Sequence, residues 1–130
     1  MKRHISLLQL SREHHLALKL ARIARIAVET GQAQAIDDAA KRICQLFASE
    51  LEPHFLAEER DVLPALAAAG GGALTDRTLA EHAALRELNQ QLASPDSETL
   101  ARFASLLHDH VRFEERELFE LAQALLHTPP

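Results

Sequence analysis

The chain has a single cysteine, Cys44, among 130 residues. An internal disulfide and a multi-thiolate zinc site both need more than one thiol, so both are excluded. There is no Trp and no Tyr, and the aromatic content is five Phe. Basic residues form no stripe and the formal net charge is -5, which removes the electrostatic footprint of a nucleic-acid binder. No window approaches ~18 uninterrupted apolar residues, so no membrane span is expected. The opening MKRHISLLQLSR is basic, but no apolar run and no small-residue cleavage site follow it. A signal peptide is therefore not expected, and the expected location is the cytoplasm. The glycine cluster at 69–72, AGGG, has neither the lysine nor the spacing of a phosphate-binding loop, and no Ser or Cys nucleophile motif occurs.

Ala and Leu dominate what remains, and both lose little conformational freedom in a helix. Breaker clusters divide the chain into helical segments. The first runs from about Leu7 to Glu29 and stops at Thr30-Gly31. The second runs from about Ile36 to Ala68, with Pro53 and Pro64 inside it as points of kinking or breakage. A third starts near Thr75 or Asp76 and ends around Leu92. Ser94-Pro95-Asp96 then opens a fourth, which reaches about Leu126, leaving Thr128-Pro129-Pro130 as a frayed tail. Short connections between four amphipathic helices predict an all-α, antiparallel up-down-up-down bundle. By length this is one domain over 1–130, with the bundle at about 7–126. Met1 to Ser6 fall outside the pattern.

Histidine is abundant: eight residues, twice the number of glycines. Two of them open a repeated octet, HFLAEERD at 54–61 and HVRFEERE at 110–117. Side chains advance by about 100° per residue in a helix. On that wheel His54 and Glu58 share the apolar stripe with Ile43, Phe47, Leu51, Asp61 and Ala65, whereas Glu59 and Arg60 turn outward. His110 and Glu114 share a stripe with Phe103, Leu106, Leu107, Phe113, Glu117, Leu121 and Ala124. His108 lies opposite, beside Glu115 and Phe119. His14 is centred among Leu7, Leu10, Ala17, Leu18, Ala21 and Val28, and His15 lies near the polar arc. His82 shares its face with Leu79, Leu85, Arg86 and Asn89. The outward or terminal His4, His108 and His127 are expected to be solvated.

Each helix thus presents one inward histidine, and two helices add a glutamate one turn on. The pairs Glu13-His14 and Glu81-His82 make the chain read as two copies of one helical hairpin, which also selects His14 over His15. A lone inward histidine is usually a hydrogen-bonded core residue. Two buried carboxylates among four imidazoles are different, because buried charge costs several kcal/mol, on the order given by transfer data, unless it is paired or metal-bound. Four nitrogens and two bridging carboxylates suit two ions, each with two imidazoles, both sharing Glu58 and Glu114. Without thiolate, such a donor set fits iron, manganese or zinc. Asp61 and Glu117, one turn beyond, are candidates to accept from imidazole N–H groups or to deliver protons. The ferritin-like alternative needs Glu-x-x-His, which the chain lacks.

The order His, HxxxE, His, HxxxE over four helices resembles the hemerythrin-like, HHE cation-binding family, from about His14 to Leu126. The resemblance implies a carboxylate- and oxygen-bridged pair of iron ions held by His14, His54, Glu58, His82, His110 and Glu114. It implies a small ligand (dioxygen, nitric oxide or peroxide) bound in stress response or iron homeostasis. Reduction of peroxide or nitric oxide is the enzymatic alternative, and a metal-stabilised interaction module without redox role, with zinc or no functional metal, a third. One departure stands out: oxygen-carrying members have a second histidine four residues after the third-helix ligand, where this chain has Arg86. Neither a nucleic acid nor a membrane is expected as partner, and the sequence does not fix the oligomeric state.

Overall fold

The computed structural model describes residues 3–127 as four antiparallel helical rods in up-down-up-down order, with no strand among the described residues. Helix α1 spans Ile5–Thr30. The second rod joins α2 (Ala33–Leu46), a π-helical turn at Phe47–Leu51, α3 (Glu52–Asp61) and the short α4 (Leu63–Ala68). Helix α5, Gly72–Gln91, is the third. The fourth joins α6 (Ser97–Phe113), a second π-helical turn at Glu114–Leu118, and α7 (Phe119–Leu126). Helix α1 lies against α6 and α2, and α5 lies against α6 and α4. The expected tail at 128–130 and the first two residues lie outside the described residues.

Local chemistry explains where the rods begin and end. Gly31 ends α1 in the left-handed conformation, φ 65°, and its N–H reaches Val28 O at 3.1 Å. His4 caps the same helix from the other end, its Nδ1 accepting from Ser6 N at 3.1 Å. The fourth rod is capped by Asp96 rather than Ser94: its carboxylate accepts from Thr99 N at 2.8 Å, and Pro95 stays in the connection. Helix α5 starts at Gly72, ahead of the expected Thr75, with no side-chain cap at its first turn.

The core divides into two apolar clusters. The larger holds Leu20, Ile43, Phe47, Leu85, Leu100, Phe103 and Leu107 with their neighbours. The smaller holds Leu7, Leu10, Val62, Leu63, Leu66, Phe113, Leu118 and Phe119 with Ala122. Along every rod, the residues between these two sets are polar and buried: His14, His54 and Glu58, His82, His110 and Glu114. The bundle thus carries a polar layer sealed by apolar packing on both sides.

Three departures from the ideal wheel shape this layer. Pro64 lacks an N–H and would crowd the carbonyl four residues earlier, so the helix breaks at Val62. The break turns Val62, Leu63 and Leu66 inward and Asp61 and Ala65 outward, the reverse of the expected stripe. The π-turn at Glu114–Leu118 inserts extra backbone, with Phe119 N bonding Glu114 O. Beyond it Phe119 and Ala122 are buried, while Ala124 is exposed and Leu121 only partly covered. Leu18 and Leu79, expected to face inward, are also exposed, at the margins of their stripes.

A buried histidine and glutamate cage

The six residues singled out in the sequence converge in the polar layer. They form two overlapping groups, His14, His54, Glu58 and Glu114, and Glu58, His82, His110 and Glu114, with donor atoms in each group within 4.8 Å of one another. Both carboxylates belong to both groups. Glu58 Oε1 lies 3.1 Å from His82 Nε2 and 3.5 Å from His54 Nε2. Glu114 Oε1 lies 2.8 Å from His14 Nε2, and its Oε2 lies 3.4 Å from His110 Nε2. His15 is exposed on the outer face of α1.

Apart from His14 Nε2, which shares a hydrogen bond with Glu114 Oε1 at 2.8 Å, the inward atoms are left without hydrogen bonds. His54, His82 and His110 each present an unpartnered Nε2, and both Glu58 oxygens and Glu114 Oε2 are equally unsatisfied. A buried polar atom without a partner costs about 1–3 kcal/mol, so six in one layer need a compensating group. Neutral imidazole nitrogens and carboxylate oxygens are the donors that a divalent transition metal takes. The cage fits a metal on this observation alone.

The outer side of the cage explains why the nitrogens point inward. His54 Nδ1 donates to Glu13 Oε1 at 2.6 Å, His82 Nδ1 to Glu59 Oε2 at 2.7 Å, and His110 Nδ1 to Glu81 Oε1 at 2.7 Å. His14 Nδ1 lies 3.4 Å from Glu115 Oε1. Each imidazole therefore has one carboxylate behind it; for His54, His82 and His110 the hydrogen bond fixes the tautomer and the ring plane, whereas His14 Nδ1 has no hydrogen-bond partner. The set follows the repeat: the acid preceding the inward histidine of α1 and α5 serves the next rod, and the acid following Glu58 and Glu114 serves the histidine of α5 and α1.

This set corrects the sequence reading. Glu59 and Glu115 were expected to face solvent, but Glu59 tucks against His82 and Glu115 turns toward α1 and Ser11. Asp61 and Glu117 reach no imidazole. Asp61 is exposed and held by Arg60 at 2.8 Å, and Glu117 is exposed beside Arg77 at 3.5 Å. The usable signal was in the doublets, Glu-His twice and Glu-Glu twice, whose second acids were read as outward.

Phenylalanine rings pack against two of the imidazoles. Phe55 stacks on His82 at 4.0 Å between centroids, and Phe119 stacks on His14 at 5.3 Å. Of the outlying histidines, His4 and His127 stack on each other at 3.9 Å, and His108 lies beside Asp109 at the surface. Cys44 is partly covered, its Sγ 3.7 Å from Asn89 O, and burial pushes its pKa up.

The electrostatics are those of a cage built for cations. Burial pushes the Glu58 carboxyl up, and the nearby charge of Glu114 pushes it further. Burial also works against the Glu114 carboxylate, but the surrounding imidazoles, His110 foremost, hold it well below the usual range. Burial disfavours a charged His54, yet the close carboxylates of Glu114 and Glu58 and the bond to Glu13 outweigh it and raise its pKa to about 11. His110 is raised to about 10 against the same burial, by Glu114 and Glu81.

Among the described residues no helix is long and apolar enough to cross a membrane. Searches of curated proteins and of solved structures gave no match. The family model described as the hemerythrin HHE cation binding domain matches residues 7–122, nearly the whole chain, with all six cage residues inside the match. The cage, the helical bundle and this match together make the chain a member of the hemerythrin HHE cation-binding domain family.

Proposed function

We propose that the cage holds two iron ions and that the protein binds a small ligand (dioxygen, nitric oxide or peroxide) there, in sensing or in stress protection. The observation that carries this reading is the pair of overlapping donor groups sharing Glu58 and Glu114. Two ions need two imidazoles each and a common pair of carboxylates. His14 and His54 would serve one position and His82 and His110 the other. When bound, the iron pair supplies a redox-active Lewis-acidic centre for the ligand.

The chain's own residues supply the rest. Glu13, Glu59 and Glu81 hold three of the rings with Nε2 turned inward, and Glu115 stands behind the fourth. Glu114 stays ionised in the middle of the layer. Phe55 and Phe119 wall the cage and exclude water from two of the rings. Asp61 and Glu117, the groups expected to deliver protons for turnover, stand off at the surface, so ligand binding in sensing or protection is favoured over reduction. Arg86, at the position where oxygen carriers have a further histidine, faces Glu52 and Glu59 and offers no nitrogen donor.

Anaerobic loading with iron(II), removal of excess and metal analysis test the proposal. Two irons per chain are expected, with a Mössbauer spectrum that changes on exposure to air or nitric oxide. One iron, or a preference for stoichiometric zinc with no iron retained, would overturn it.

A further inference from the structure

The four carboxylates behind the imidazoles are not held alike. Glu59 is fixed by Arg86 at 2.9 Å, Glu81 by Arg77 at 3.0 Å, and Glu115 by Arg3 at 3.3 Å together with Ser11. Among the described residues Glu13 has no arginine or lysine partner. Its second oxygen takes one bond, from Gln9 Nε2 at 3.2 Å. Its side chain is also the most exposed of the four, at 40 % against 22 % for Glu59, 18 % for Glu81 and 31 % for Glu115. Three sides of the cage are latched by a cation, and the fourth is not.

A cleft opens on that fourth side. It lies between α1 and α3, has a volume of about 300 Å³, and is walled by Gln9, Glu13, Glu50, Pro53, His54 and Ala57 among others. His54 is therefore shared: it is 5 % exposed, lines the cleft, and carries an unpartnered Nε2 on the cage side. Glu50 stands exposed at the cleft wall with no arginine or lysine partner among the described residues. Carboxylates lining a concave surface focus the field and raise the local concentration of cations.

We propose that divalent metal ions reach the cage through the α1/α3 cleft, captured by Glu13 and Glu50 and handed to His54. This rests on the cage being a metal centre. Glu13 leaves once its bonds to His54 Nδ1 at 2.6 Å and to Gln9 at 3.2 Å break, with no arginine contact to release. The freed ring can then turn and offer a nitrogen to the ion. On the other three sides, an arginine contact must break as well.

The test is the rate of cobalt(II) uptake by the metal-free full chain, followed by visible absorption in a stopped-flow instrument. Ala57→Phe fills the cleft from α3. Glu50→Trp fills it from an exposed position where folding is not at stake, and removes a capture charge. Both are expected to slow uptake at least tenfold and to reach the wild-type cobalt stoichiometry at equilibrium. Glu87→Trp, which removes an exposed acid on α5 away from the cleft, is expected to match wild type. Wild-type uptake rates in either folded cleft variant, or equal slowing in Glu87→Trp, would overturn the route. Failure of the wild type to bind cobalt at equilibrium would instead overturn the metal centre itself.

Discussion

Arg86 and Glu59 share one oxygen with the cage: Arg86 Nη1 donates to Glu59 Oε2 at 2.9 Å, and the same Oε2 accepts from His82 Nδ1 at 2.7 Å. Burial works against the Glu59 carboxylate, but these bonds from Arg86 and His82 hold it below its ordinary range. Arg86 therefore limits how strongly Glu59 pulls on the His82 proton. In Arg86→Gln that restraint is gone, His82 becomes the more electron-rich donor, and the loaded centre should become harder to reduce. A potentiometric titration of iron-loaded protein checks this: a negative shift with unchanged metal content is expected. An unchanged potential would show that the arginine serves the fold alone.

The outer carboxylates should matter more than their distance from the metal suggests. Losing such a partner costs metal affinity by about 10–100-fold in comparable sites. Glu81→Ala, which frees His110, is expected to weaken binding by that order in a chelator competition, and Glu81→Gln, which retains an acceptor, by less. Asp61→Asn and Glu117→Gln should leave affinity unchanged, because neither side chain reaches an imidazole.

Protons and metal compete for this cage. The pKa of His54 is raised from 6.5 to about 11, and that of His110 to about 10. A raised folded-state value means that the charged rings stabilise the metal-free fold fully below about pH 6.5, and that this contribution fades as pH rises through about 10 and 11. Ligation needs a free Nε2, so loading at neutral pH should release about two protons per chain from these rings, and apparent affinity should rise with pH. Proton release measured with an indicator in weak buffer checks the count, and release near zero would contradict the raised values.

The same cage should cost the metal-free protein stability. Both Glu58 oxygens are buried and unpartnered, and such groups cost about 1–3 kcal/mol. Glu58→Met, similar in volume, is expected to raise the urea midpoint of the metal-free protein and to abolish the further rise that metal gives the wild type. A Glu58→Met protein that is less stable without metal would mean that the carboxyl is satisfied by groups not seen in the folded cage, such as bound water.

Much of this was legible in the sequence because histidine and glutamate at i, i+4 sit on one face however the helix ends are drawn. Helix ends moved by a few residues, yet His14, His54, His82 and His110 all face inward as the wheel placed them. What the wheel could not carry was register beyond a break. Pro64 announced its break but not the sense of the turn, so Asp61 was placed inside and Leu66 was missed. The π-turn after Phe113 left no mark of any kind, since neither proline nor glycine lies at 114–118. The outer acids were misread for a different reason: a side chain at the flank of a stripe can serve a neighbouring rod, and a single helical wheel has no neighbours.

Phe119 provides the test of that hidden register. An uninterrupted helix would put it beside His108, at the surface. Beyond the π-turn it is fully buried, stacked on His14 and packed with Leu118 and Ala122 in the smaller apolar cluster. Truncating a buried phenylalanine costs about 3–5 kcal/mol, so Phe119→Ala should be strongly destabilising in urea denaturation. Leu125→Ala, at a half-exposed position on α7, should cost well under that. Phe119→Leu keeps most of the volume but removes the ring face against His14. It should keep most of the stability while loosening His14, read as a lower metal affinity than wild type at equal fold. Equal, small costs for Phe119→Ala and Leu125→Ala would mean that the helix runs through 114–118 without the extra residue, and that the wall behind His14 is built from other side chains.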